Sequence, residues 1–151
     1  MRRAILILLT VILFVPAAQA EEKLVVKSSN HSVSVTLDRL TKIMKTKGIT
    51  IFARIDHAAG AKAAGLELKP TQVLIFGNPK LGTPLMQANR HIAVDLPLKA
   101  LAWEDADGKV WLGYTKPESL KARFGIEGRD EVIKKMTGAL DNLTNAAIKA
   151  E

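Results

Sequence analysis

The chain has 151 residues, 48% of them apolar and 25% charged, enough for one domain with its own core. It contains no cysteine, which excludes structural disulfides, thiolate nucleophiles and Cys-ligated zinc or iron–sulfur sites. Twenty-two basic residues against fifteen acidic ones give a formal net charge of +7, but the lysines are dispersed and aromatics make up only 5%, so no nucleic-acid partner is expected.

Residues 1–20 have the form of an export signal. Arg2 and Arg3 precede an apolar run over residues 4–15, and Pro16 and the small-x-small site Ala18-Gln19-Ala20 follow it. The run is shorter than the roughly 20 residues a helix needs to span a bilayer. Cleavage after Ala20 is expected, giving a periplasmic or secreted protein with no transmembrane anchor. Without Arg2 and Arg3 the remaining chain keeps twenty basic and fifteen acidic residues, a net charge of +5.

Residues 23–27 (KLVVK) read as a first strand. Ser32 is placed to cap a helix reaching Lys47, because Val33, Leu37, Leu40 and Met44 recur at helical spacing and Gly48 stands at the stop position. The β-branched stretch 49–55 reads as a second strand. Asp56 can cap a short helix through Ala64, closed by Gly65. The apolar residues 73–76 form a third, central strand, and a short helix is predicted over 83–89 with Thr83 as its cap and Pro84 at its first position. A hairpin is predicted from arms 97–104 and 109–115 joined by Asp105-Ala106-Asp107-Gly108. Pro117 opens a helix to Phe124, with Gly125 as its stop. A last helix over 130–150 carries an apolar face of Ile133, Met136, Leu140, Leu143 and Ala147. One α+β domain over 21–151 follows, a two-layer sandwich with helices packed on one face of a mostly antiparallel sheet.

The stretch FGNPKLGTPLM, residues 76–86, has two glycines five apart and a threonine, which raises the question of a phosphate-cradling loop. Thr83 follows Gly82 directly, so the lysine of a Walker A loop is missing, and Pro79 removes a backbone N–H where a cradle needs donors. The stretch reads instead as a turn leading into a helix.

The same stretch belongs to an ordered set of motifs. Ile55-Asp56-His57-Ala58, Leu66-Glu67-Leu68-Lys69-Pro70-Thr71, Phe76-Gly77-Asn78-Pro79 and Gly82-Thr83-Pro84-Leu85-Met86 come first. Asp95-Leu96-Pro97-Leu98, Trp103-Glu104-Asp105, Val110-Trp111-Leu112 with Tyr114 and Pro117, and Arg123-Phe124-Gly125-Ile126 follow. Over residues 32–126 this set resembles the bacterial domain-of-unknown-function 302 family. In that family a histidine commonly precedes the last glycine, where this chain has Phe124. The resemblance implies a small two-layer α/β fold, a homodimer and no established activity, with the helix over 130–150 as an addition.

Asp56 and His57 are the leading candidate positions. A carboxylate beside an imidazole can orient it for acid–base work or anion binding, but neighbours at a strand end point apart, and Asp56 as a helix cap is the plainer reading. Trp103 and Trp111 lie on paired hairpin arms. Facing the same side, they would line an apolar pocket beneath a helix, pack across a dimer seam or simply join the core. Arg54, Arg90 and His57 could rim such a pocket for a small acidic or amphipathic ligand. His31, His57 and His91 have no second ligand at helical spacing, and Asp105-x-Asp107-Gly108 lacks the rest of a calcium loop, so no metal site and no cofactor are expected. No G-x-S-x-G elbow offers a nucleophile. The leading expectation is an exported, homodimeric, non-enzymatic binding module for a small molecule or an envelope component. The rival is an enzyme using His57 as acid–base with Asp56 or Asp95 as partner, and a third reading is a structural or interaction protein.

Overall fold

Period-two alternation within the strands decides what the core contains. β3 (Thr71–Gly77) turns Leu74 and Phe76 inward, β4 (Leu98–Glu104) turns Ala100 and Ala102, and β5 (Val110–Thr115) turns Leu112 and Tyr114; all six are buried. β1 (Leu24–Ser29) and β2 (Thr50–Asp56) close the sheet in the order β1-β5-β4-β3-β2, with every neighbouring pair antiparallel. The structure, a computed structural model, describes residues 24–150, so the leader expected at 1–20 lies outside the described residues.

Two long helices cover the inward face. α1 (Val33–Thr46) is capped by the Ser32 hydroxyl, which accepts from the Val35 N–H, and buries Val33, Leu37, Leu40 and Met44. α5 (Asp130–Ile148) buries the five apolar residues expected of it, Ile133, Met136, Leu140, Leu143 and Ala147. Its C-terminal half joins α1 over the sheet. Its N-terminal half belongs to a second cluster with Leu85, Ile92, Leu120 and Ile126, contributed by α3 (Pro79–Ala88), the 3-10 turn Arg90–Val94, α4 (Pro117–Arg123) and the segment after it. The small helix α2 (His57–Ala63) between β2 and β3 buries nothing.

A half-buried lysine ties sheet to helix. Lys27 of β1 points to the covered face, and its ammonium reaches Asp141 Oδ1 at 2.7 Å, Thr144 Oγ1 at 2.9 Å and Asn145 Oδ1 at 2.7 Å on α5. The Lys27 side chain is only 15% exposed, so its stem replaces apolar packing while its head is fully bonded. That ammonium bond holds the Asp141 carboxyl below the usual carboxylate range.

The α+β reading, its antiparallel sheet and its covered face agree with the structure. α3 departs from expectation: it begins at Pro79 rather than near Thr83. Asn78 caps it by accepting from the Lys80 N–H, and Pro79 sits at its first position with φ preset for a helix. Starting one turn earlier than Thr-Pro would allow adds Leu81 to the helix, where it packs against the second cluster beside Leu85. Gly82 and Pro84 therefore lie inside the helix, and nothing of a phosphate cradle remains. The 3-10 turn at Arg90–Val94, which the sequence pattern did not indicate, is capped by Asn89 through the His91 N–H.

The β4–β5 turn closes on one carboxylate. Asp105 accepts from Trp111 Nε1 at 2.7 Å, Lys109 N at 2.9 Å and Asp107 N at 3.0 Å, and Gly108 takes a φ of +80°. The indole bond, followed by the Lys109 amide, holds the Asp105 carboxyl below its ordinary value.

Two outcomes follow from this packing. Leu37→Ala, at a fully buried site, should cost about 2–5 kcal/mol in urea unfolding, whereas Val94→Ala, 73% exposed in the parent, should change stability by less than about 0.5 kcal/mol. In Trp111→Phe the Asp105 carboxyl should titrate at higher pH than in the parent, measured by carbon-13 NMR. Because its folded-state pKa lies below the unfolded one, this bond stabilises the fold above about pH 4 and is lost as pH falls through the folded value. The stability gap between parent and variant should narrow on acidification.

Candidate functional site

The residues singled out by sequence fall in three separate places. Asp56 ends β2 and caps α2: Oδ1 accepts from Ala59 N at 2.9 Å and Oδ2 from Gln72 Nε2 at 2.9 Å. Gln72 Oε1 in turn accepts from Arg54 Nε and Nη2, and Arg54 also bonds Asp38 and Ser34 of α1. Asp56, Gln72, Arg54 and Asp38 thus form one relay along the β2 edge, and the two carboxylate oxygens of Asp56 are taken up, one by the helix cap and one by this relay. His57 is exposed and makes no side-chain hydrogen bond or ion pair among the described residues. Asp95, the other carboxylate considered, pairs with Arg123 at 2.8 Å, and Arg90 is exposed at the start of the 3-10 turn. No three His, Asp or Glu side chains converge as metal ligands among the described residues.

Trp103 and Trp111 are direct cross-strand partners and share a face, the one opposite α1 and α5. This face is apolar along a row that crosses all five strands: Val26, Gly113, Leu101, Val73 and Ile55, each paired with the next. Gly113 is a requirement of the Trp103 ring, since a Cβ there would lie 3.1 Å from Cζ3 and 3.3 Å from the Leu24 side chain. Leu24, Val26 and Ile55 are 40%, 44% and 43% exposed. The two tryptophans therefore lie beneath no long helix; they belong to a bare sheet face.

A third place was not anticipated. A cavity of about 570 Å³ opens between the start of α3, the ends of β2 and β3, and the middle of α5. Its floor is buried: Phe76, Met136, Leu140 and Leu143. The stretch FGNPKLGTPLM forms one wall through Asn78, Leu81, Gly82 and Met86, so the motif that suggested a phosphate loop borders a largely apolar space. The lip also carries Phe52, 56% exposed, at a point where the β2–β3 register skips one residue between Ile51 and Ala53. That irregularity takes Phe52 out of the strand alternation. Its ring lies over Gly77, where a Cβ would come within 3.2 Å of Phe52 Cε2. One ionisable side chain lines the cavity, Lys47; the other polar ones are Asn78, Thr83 and Asn142. None of Asp56, His57, Arg54, Arg90, Trp103 or Trp111 borders it. The available signal was Phe52, a large aromatic followed at Gly77 by the one residue that leaves room for it.

With this geometry in view, comparison with known proteins identifies the fold and the family. The solved structure of an uncharacterized conserved protein DUF302 from Bacillus stearothermophilus superimposes with a TM-score of 0.75 at 17% identity, covering 83% of this chain and 98% of that one. The Fluoride-specific ion channel FluC 1 proteins of Brucella suis biovar 1 (strain 1330) and Brucella abortus biovar 1 (strain 9-941) are each 46% identical over 132 residues. The match takes in 87% of this chain but 52% and 49% of theirs, so the chain spans about half the length of the curated relatives it matches. The profile of the domain of unknown function DUF302 matches residues 24–143, and the chain belongs to that family.

Proposed function

We propose that this protein is an exported, homodimeric, non-enzymatic binding module for a small molecule or an envelope component with a sizeable apolar part. The observation that carries the reading is the cavity beneath α3: about 570 Å³, lined by apolar side chains, within the ~300–1,000 Å³ range of small-molecule sites. Catalysis by His57 finds no support there. His57 stands in solvent, Asp56 is committed to a helix cap and to Gln72, and no ionisable pair faces the cavity.

The bare sheet face supports the dimer. Five strands about 4.8 Å apart offer a surface roughly 24 Å across, and two such faces pack well at about 10 Å. Its central row from Val26 to Ile55 carries no charged residue, and Trp103 supplies the kind of aromatic anchor that interface centres favour, while the Lys109 ammonium lies over the neighbouring Trp111 ring. Export rests on the pattern of residues 1–20. The names of the curated relatives lend support to a place in the cell envelope, because proteins named as ion channels carry a region like this chain. The channel activity itself is not carried over: among the described residues no helix is long and apolar enough to cross a membrane.

Native mass spectrometry of the protein isolated from its own host's envelope fraction tests this. A dimer with a reproducible small-molecule adduct, and a protein starting at Glu21, are expected. A bare monomer starting at Met1 would overturn the reading. Val26→Arg combined with Ile55→Arg changes only solvent-exposed side chains and should yield a folded monomer by circular dichroism and light scattering; an unchanged dimer would remove the sheet face as its seam.

A further inference from the structure

The cavity's chemistry narrows its ligand, given that it is the binding site. Every carboxylate is absent from its lining, and its single ionisable group is the Lys47 ammonium at the end of α1. Lys47 is exposed, so it stands at the mouth rather than on the floor, and its ammonium forms no hydrogen bond or ion pair among the described residues. Asn142, exposed on α5 and also lining the cavity, likewise has no side-chain partner among the described residues and adds an amide donor at its exposed edge. Below them Met136, Leu140 and Leu143 offer no polar side-chain atom, so the buried part of a ligand has to be hydrocarbon.

We infer that the cavity takes a single-chain amphiphile with an anionic head, the alkyl chain lying over Leu140 and the head held at the mouth by Lys47 and Asn142. A carboxylate or a phosphate head satisfies the same donors. A cationic head would face Lys47 without any compensating acid, and a neutral polar head would gain no charge-assisted bond there, leaving the exposed ammonium to water.

Calorimetric titration of the full-length mature protein with dodecanoate, dodecyl phosphate, dodecanol and dodecyltrimethylammonium, each below its micelle concentration, tests the assignment. Both anions should bind one per chain and at least about tenfold more tightly than the cation. Between decanoate and dodecanoate affinity should rise about fourfold per methylene, as burial of the chain requires. Lys47→Glu, a surface change that spares the fold, should reverse the preference between anion and cation, and Ala93→Trp, at the exposed lip, should weaken every probe. Equal affinity for all four heads, unchanged in Lys47→Glu, would overturn the head assignment while leaving the cavity as a binding site. Failure of every alkyl probe, alongside a native adduct of another chemistry, would overturn this inference and spare the binding-module reading. With no adduct either, both fall. A dodecyl phosphate that binds when dodecanoate does not would assign the head to a phospholipid-derived ligand rather than a free fatty acid. Recovery of the protein on anionic vesicles without binding of any monomeric anion would mark surface attraction instead and overturn the assignment.

Discussion

Burial of the α1 and α5 stripes against the six inward side chains of β3, β4 and β5 is the contact on which the remaining structure rests. Ala100 and Ala102 sit on the central strand with no exposed surface, and their small size leaves room for two helices to lie side by side over one sheet. Leu37, Leu40 and Met44 on one helix and Leu140, Leu143 and Ala147 on the other then share one apolar layer with Leu74, Phe76 and Leu112. Lys27 works within this contact rather than beside it. Its bonds to Asp141, Thr144 and Asn145, with those of Asn30 to Ile148 O and of Arg39 to Ala147 O, tie α5 to β1 and α1 at defined positions that apolar contact alone would not specify.

The same arrangement has two consequences. Because both long helices occupy one face, the other keeps its apolar row from Val26 to Ile55 without cover from them. Because α5 is longer than the sheet contact needs, its first half reaches past the sheet and meets α3 and α4 over Ile133 and Met136. The cavity lies where α5 passes from one cluster to the other. There Met136 belongs to the second cluster, Leu140 and Leu143 to the first, and the floor between them is shared.

Local signals made most of the fold legible. Ser32 before Val33 and Leu37, Gly48 and Gly65 at helix ends, and Asp105 to Gly108 between alternating arms each specify their element through bonds to residues a few places away. α3 was misplaced because Asn78-Pro79 and Thr83-Pro84 are equally good helix starts in isolation; contacts of Leu81 and Leu85 with distant residues decide between them. The candidate positions show the same divide. Asp56 is a cap by local chemistry, and the local pattern said so. That Gln72 and Arg54 would complete the relay, and that Lys47, Phe52 and Asn142 would line one cavity, depends on strand pairing and on where α5 comes to rest, which no neighbouring residue encodes.

Phe52 and Gly77 show how such a site can be built with little loss of stability. A regular β2–β3 pairing would bring residue 52 into the alternation that turns Ala53 toward one face and Arg54 toward the other. The skipped residue frees the ring from both, and the bare backbone at Gly77 gives it a surface to lie on. More than half exposed, Phe52 contributes little to the core, and the irregularity forfeits part of the strand ladder at the sheet's edge. Its position at the lip of an apolar space is what the local departure from regular pairing provides. An edge strand can bear this change because its outer side has no partner to disturb, whereas the same slip in β4 would break pairing on both sides and shift the face that α1 and α5 cover. The cavity's lip therefore sits on the one side of β3 where the sheet can vary its geometry while the helix-covered layer stays intact.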